Sequence, residues 1–531
     1  MQYPVEEFTP NERAALEPHF TNLDRPVFAL VNLPETVKGA LFARYSRYPG
    51  TLRRLFLDEF AGDLEGTVAR AYEGAEGERA RRLYENVFLG YGDDSVAQLG
   101  GAHIATEWVS NVLTKVLQRG RLAAYLEQST RYIPYDGEMP AGGYRYWRDD
   151  SLGPDYAEAM DFLFRTYSHA LARVECWAAE RWPRGVGDAE APWKRSIRAK
   201  ALDLLRGLLP AASLSHVGIF ASGQAYEQML LRLLSSPLPE AREVGAMILG
   251  ELQKVMPSFV ARVDRPDRGG HWMDYLSERG SQAATWVQRL GLDRREQDES
   301  GPSVRLLSVR GTEDDLLAAL LFESASVSEA EARVAVRVLP PDERARLLAD
   351  LVGDRTNRRH RPGRGFEAVS YRFEIVSDYG AFRDLQRHRL LTVQWQALGP
   401  HLGAGVPDEL AEAGVADDYR AGLERSAIEY ERIHEEVARE LAPYALCLGY
   451  RIRYVLDMNA REAMHLIELR SGREGHPGYR AVAHELHAQI AEVHPSIAAA
   501  MTFVDGETEP RLERILSEIR TQAKLTAPGR A

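Results

Sequence analysis

This chain carries one order of elements twice, and that duplication bounds what it can fold into. In the first half an apolar run, Asn111 to Leu117, leads into Gln118-Arg119-Gly120-Arg121. In the second half Phe382 to Gln386 leads into Arg387-His388-Arg389. A long amphipathic helix follows each time. Tyr156 to Trp177 places Tyr156, Met160, Leu163, Tyr167, Leu171 and Val174 at three- and four-residue spacing, and Tyr419 to Leu441 reads as amphipathic with Leu423, Ala427, Ile433, Val437 and Leu441. The second of these stops at Ala442-Pro443, as a helix from about Lys194 stops at Leu209-Pro210. Gly223 to Leu234 and Glu240 to Val255 are then matched by Asn459 to Leu469 and Arg480 to Ile490. A unit of about 230 residues is too long for a solenoid repeat. It predicts two homologous α+β domains, helices packed on a mixed or antiparallel sheet, fused as a pseudo-dimer.

The strongest strand signal is Val369 to Val376, where Val369, Tyr371, Phe373 and Ile375 alternate with polar residues. Gly101 to Val109 precedes the Asn111 helix, and Glu313 to Leu321 reads as a helix. Residues 264–303 are polar and rich in Gly, Asp and Arg, so they read as a linker with one short helix around Ala283 to Leu290. The expected organisation is an N-terminal arm over 1–28, a first domain over 29–263, the linker, a second domain over 304–520 and a flexible tail over 521–531.

The 531 residues are 45% apolar and 27% charged, which is the balance of a globular protein with a sizeable core. A net charge of −12 argues against a general nucleic-acid binder, so local basic clusters read as sites rather than coats. No apolar run reaches about eighteen residues, so no membrane span is expected. The acidic start lacks a signal-peptide layout, so the cytoplasm is the expected location. Cys176 and Cys447 have no zinc or redox spacing and read as buried small hydrophobes.

Chemistry concentrates in Gln118 to Tyr132. Arg119, Arg121 and Arg131 lie among Glu127, Gln128, Ser129, Thr130 and Tyr132. Guanidinium forks grip phosphate bidentately, while hydroxyl and backbone donors fill the remaining oxygen sites. The competing reading is a solvated helix face with surface ion pairs of little energetic worth. Two Arg-x-Arg elements at matched positions of a repeat weaken it. The run Asn357 to Arg364 reads as a solvated basic loop, or else as a loop facing phosphate.

Gln118 to Tyr132 resembles the signature of flavin-dependent thymidylate synthases, Arg-His-Arg-x-x-Ser-x-Asn-Glu-x-Ser-x-Arg-Tyr. Arg119, Arg121, Glu127, Ser129, Arg131 and Tyr132 fall in register, while Gly120, Ala124 and Leu126 depart from it. In the second half Arg387, His388 and Arg389 fit, with Thr392 in place of the first Ser. There Gln394, Trp395, Ala397 and Gly399 depart. The two copies have thus lost complementary parts. Gly92 and Ser95 keep part of the family's upstream element, and Arg206 to Pro210 matches its Arg-x-x-Leu-Pro helix end. Asn459 and Arg461 through Leu469-Arg470 match its late helix, and Ser46 sits where it has a flavin-contacting Ser.

The resemblance implies reductive methylation of dUMP to dTMP, with FAD as cofactor and NADPH and methylene-tetrahydrofolate as co-substrates. It implies Arg121, Ser129, Arg131, Arg206 and Arg470 as substrate-binding residues. Arg470 and Arg131 would be catalytic, with Arg470 facing the pyrimidine and favouring its enolate-like charge. It places Ser46, Ser95, Arg119 and Glu127 at the flavin from the first half. Arg387, His388, Arg389, Asn459 and His465 join them from the second. No metal triad is expected from His465 and the other scattered histidines. Family sites are shared between subunits, so a composite of first-half loop and second-half helix is expected, with self-association into a dimer of two-domain chains. Two alternatives stand beside this: a flavin-dependent pyrimidine-modifying enzyme with another substrate, and a non-catalytic nucleotide-binding relative.

Overall fold

The computed structural model describes residues 3–33, 41, 45, 48–59, 61, 101–139, 142–185, 189–293, 301–507 and 512. The chain divides into two compact units, each discontinuous in sequence. Met1–His169, Leu208–Glu296 and Glu424–Cys447 form the first; Ala170–Gly207, Gln297–Leu423 and Leu448–Ala531 form the second. Among the described residues each holds one four-stranded antiparallel sheet, and the strand order is the same in both. The α+β class and the duplication read from the sequence are therefore both present in the fold. Among the described residues no helix is long and apolar enough to cross a membrane.

In the first unit β1 (Val27–Ala29), β2 (Gly101–Ser110), β3 (Ala123–Glu127) and β4 (Leu214–Ser222) lie in the order β1-β2-β4-β3. Side chains alternate between two cores. Val27, Ile104 and Ile219 join Leu230 and Ile248 from the helices Gly223–Leu234 and Pro239–Val255. Phe28 and Ala105 join Leu16, Phe20, Leu55 and Phe56 on the other side. Residues expected as an N-terminal arm thus supply the helix Pro10–Leu16 and the edge strand β1. A sheet covered on both faces shows no period of two, and β4 is buried almost throughout.

The second unit lays β5 (Ser303–Arg310), β6 (Ser370–Asp378), β7 (Thr392–Trp395) and β8 (Arg451–Asn459) in the order β5-β6-β8-β7. Tyr371, Phe373 and Ile375 of β6 are buried, as their alternation predicts. Ile452, Tyr454, Leu456 and Met458 of β8 alternate in the same way. The helix Pro477–Val493 packs on β5 and β6.

Among the described residues four strands pass directly into capped helices, two in each unit. Ser110 caps Asn111–Leu117 and Ser222 caps Gly223–Leu234, each accepting from an N–H in the first turn. Asp378 does the same for Tyr379–Leu385, and Asn459 for Ala460–Arg470. Each such cap contributes about 0.5–2 kcal/mol and fixes where the helix begins. His465 and Arg470 lie on the last of these helices, and Arg387 and His388 lie just beyond Tyr379–Leu385.

Three sequence expectations change. The linker helix is His271–Arg289, longer than Ala283 to Leu290. The second long helix ends at Glu436, and a short turn, Ala442–Ala445, follows. Cys447 is buried, with its thiol donating to the Leu208 carbonyl at 3.2 Å, but Cys176 is exposed. Cys176 lies two residues from buried Val174 and Ala178 on one helix, so it falls off their stripe.

Glu240, in the first turn of Pro239–Val255, is fully buried. Its carboxylate accepts from the Ser110 N–H at 2.8 Å, the Ser110 hydroxyl at 2.6 Å and the Tyr444 hydroxyl at 2.7 Å. Burial outweighs these donors and raises its pKa from 4.5 to about 7. Through that window the folded chain holds a proton that the unfolded chain has released, so stability falls as pH rises and levels off above it. Glu240→Gln removes this group's share, up to about 3 kcal/mol. The stability difference between wild type and variant, from urea melts at about pH 5 and about pH 8, should therefore shift in the variant's favour at the higher pH. A difference independent of pH would contradict the assignment.

Candidate active site

In the second unit three guanidinium groups gather around one carboxylate. Arg206, in the turn Arg206–Leu208, is buried. Its Nη1 donates to Asp384 Oδ2 at 3.2 Å, and its Nη2, with no hydrogen bond of its own, stands 3.7 Å from Asp378 Oδ1. Arg387 Nη1 lies 3.9 Å from Asp384 Oδ1. Burial lowers the Arg470 pKa, and the charge of Asp384 partly restores it. Gly380 makes the approach possible: a Cβ there would sit 3.0 Å from Arg206 Nε.

The ends of two capped helices build the adjoining relay. Arg470 Nε donates to His388 Nε2 at 3.0 Å, and His388 Nδ1 lies 3.0 Å from Glu462 Oε1. An arginine can only donate. Nε2 therefore carries no proton, and Nδ1–H donates to Glu462. Burial, followed by the charges of Arg470 and Arg361, pushes the His388 pKa well below the ordinary imidazole range. Burial raises that of Glu462. His465 falls to about 4, burial again being the main cause.

The possible ligand atoms of His388, Glu462 and His465 all lie within 4.8 Å of one another. The expectation that the histidines would not cluster does not hold. In this arrangement, however, both His388 nitrogens are engaged, and a guanidinium stands at one of them. That favours a hydrogen-bonded relay over a cation site.

The first-unit loop is placed differently. Glu127, at the end of β3, is buried and accepts from Lys115 Nζ at 3.0 Å and Gln118 Nε2 at 2.9 Å. Ser129 Oγ accepts from the Arg131 N–H at 3.3 Å. Arg131 is half-buried, and Arg119 and Arg121 are exposed. Trp108 adopts a φ of 59° at a bulge in β2, and its N–H donates to buried His216 Nδ1 at 3.1 Å. Such a conformation is uncommon for a bulky residue.

The structure thus brings together Arg206, Arg387, His388, His465 and Arg470, with Arg389 exposed beside them. Asn459 serves as the cap, its side chain accepting from the Glu462 N–H at 2.9 Å. Ser46, Ser95 and the Gly92 to Gln98 element lie outside the described residues. The sequence reading missed Asp378, Asp384 and Glu462. The last was legible as Glu-x-x-His with His465, a spacing that puts both on one helix face. In the basic run Arg359, His360, Arg361 and Arg364 are exposed, as in a solvated loop. Arg355, just before it, pairs with buried Glu468 through two contacts of 2.7 and 2.6 Å.

The model of the family described as thymidylate synthase complementing protein matches residues 57–258 and 316–496. A UPF0159 protein of Chlamydia muridarum is 37% identical, with 97% of this chain and 99% of its own length covered. One from Thermoplasma acidophilum is 29% identical, covering 92% and 99%. Among solved structures, a UMP/dUMP methylase from Streptomyces cacaoi is 20% identical over 39% of this chain and 96% of its own, with a TM-score of 0.31. A likeness that slight does not bear on function.

The enclosed pair at Glu127 gives a direct test of whether that carboxylate is structural. Lys115→Met strands a buried charge and should destabilise the chain by about 3–5 kcal/mol, and adding Glu127→Leu should recover most of the loss. Chemical denaturation measures both. A Lys115→Met chain as stable as wild type would show that Glu127 is not held this way.

Proposed function

Because the chain belongs to the thymidylate synthase complementing protein family, we propose that it is a nucleotide-modifying enzyme. Its reaction is the reductive methylation of dUMP to dTMP, in the cytoplasm, by self-associated two-domain chains. FAD is its cofactor, and NADPH and methylene-tetrahydrofolate are its co-substrates. The observation that carries this reading is the second-unit cluster. Arg206, from the first sequence repeat, sits within 3.2 Å of Asp384 from the second, next to Arg387 and Arg470.

The donor set suits an anion. Arg206 Nη2 is buried with no hydrogen-bond acceptor, and such a donor gains from a ligand oxygen. Arg206 and Arg470 bind dUMP here, and Arg121, Ser129 and Arg131 are the dUMP residues proposed for the first-unit loop. Glu462 accepts a hydrogen bond from His388 Nδ1–H, so His388 Nε2 is fixed as an acceptor and orients Arg470. Arg470 then faces the pyrimidine, where a guanidinium stabilises developing negative charge. Half-buried Arg387 and His465 with exposed Arg389 fit the flavin's phosphates. Asn459, Arg119, Ser46 and Ser95 complete the flavin contacts proposed here. The enclosed Glu127 does not fit a flavin ligand. When bound, the flavin supplies the reducing hydride.

That enclosure favours a second reading, a nucleotide-binding relative without catalysis. Flavin content of the purified chain, read by absorbance after heat release with and without added FAD and dUMP, separates the two. Stoichiometric flavin and tritium release from labelled dUMP are expected. Arg470→Ala should lower turnover by about 10²–10³, and Arg131→Ala should weaken dUMP. A colourless chain at saturating FAD would overturn the enzyme reading. Unchanged binding in both variants would overturn the assignment of these arginines.

A further inference from the structure

The helix His271–Arg289 in the first unit has no buried residue. Its apolar positions are nevertheless ordered. Trp272, Leu276, Arg279, Ala283, Trp286 and Leu290 follow at spacings of four and three, the a/d seam of a coiled coil. Tyr275 and Val287 flank the seam. Trp272 is 45% exposed, Tyr275 57%, Trp286 51% and Leu290 60%. Side chains of this size, aligned and uncovered on one helix, mark an association surface. Within the first unit the helix rests on Gly223–Leu234, and only Met273 and Leu276 are half-buried.

The seam is its own mirror. Read backwards about Ser281, Trp272 falls opposite Leu290, Leu276 opposite Trp286, Arg279 opposite Ala283 and Tyr275 opposite Val287. An antiparallel copy therefore offers an apolar partner to every apolar residue, and a small one to the single charge in the seam. Gly280, Ala283 and Ala284 surround the centre, where the helices must come closest. Asp274 would lie beside Gln288 and Arg289 of the second copy. Isologous dimers demand this self-complementarity.

We infer that this helix pairs antiparallel with the same helix of a second copy of the chain, across a twofold axis near Ser281. The pairing gives a surface to the self-association proposed above, and it stands whether or not the chain methylates a nucleotide. Covering all that is still exposed of the aromatic residues and their aliphatic neighbours would bury on the order of 600 Å² per copy. Two copies reach about 1,200 Å², the lower edge of specific interfaces. A lipid surface is the poorer occupant. The helix carries Asp274 and Glu278 against Arg279 and Arg289, not the basic polar face that anionic membranes attract.

The test is sedimentation of the full-length chain with Leu276→Glu, with Trp286→Lys and with their equimolar mixture. Both positions lie on a surface helix, and unchanged thermal unfolding by circular dichroism would establish that each variant folds. Each variant alone should sediment at about half the wild-type mass. The mixture should regain that mass, because antiparallel pairing sets position 276 against 286 and one Glu then meets one Lys. A parallel pairing would not show this rescue. Variants that sediment as wild type, a mixture without rescue, or a wild type that stays a single chain would each overturn the inference. So would binding to phosphatidylserine vesicles that the variants lose while their mass is unchanged.

Discussion

A guanidinium buried between two carboxylates is the constraint on which the second unit's site depends. Arg206 is 4% exposed and faces Asp384 and Asp378. Asp378 keeps 28% of its side chain exposed and Asp384 12%, so the charge that water cannot relieve is the guanidinium, and removing its carboxylates would strand it at about 3–5 kcal/mol. Asp378 is also the cap of Tyr379–Leu385, and Asp384 lies in its last turn. The arginine therefore fixes both ends of that helix, and with them the height at which Arg387 and His388 emerge. Gly380 is part of the same constraint, since any side chain there would push the guanidinium away.

From His388 the order passes on by hydrogen bonds. One imidazole accepts from Arg470 and donates to Glu462, so its tautomer follows from its neighbours. The relay ties the helix after β6 to the helix after β8. The first unit uses the same strand-to-helix joints for another purpose. There Lys115 and Gln118 enclose Glu127, and the joint at Ser110 is closed by buried Glu240.

Much of this architecture was legible in the sequence, for reasons that differ by element. Gly223–Leu234 and Asn111–Leu117 have strong apolar faces between a serine cap and a polar exit, and both bounds were recovered. β6 was recovered because only one face of its first half is buried, which leaves Arg372 and Glu374 in view. β4 was not, because burial on both sides erases the alternation. β8 alternates as cleanly as β6, but its outward Arg451, Arg453 and Asp457 make it look like a polar approach to the next helix. In the site, arginines announced themselves by clustering. Their acidic partners did not, because Asp378, Asp384 and Glu462 are brought to them only by the sheet.

Equal strand order in the two units has a consequence for how such a chain changes over time. In an assembly of identical subunits one altered codon alters every site at once, and a damaging change has no intact copy beside it. When the two copies lie in one reading frame, each position can drift alone while its counterpart carries the duty. The lone histidine at 388 against Gly120, and the retained serine at 129 against Ala397, have the pattern such drift leaves. A gene of this kind can lose symmetry step by step without passing through a form that lacks the site altogether.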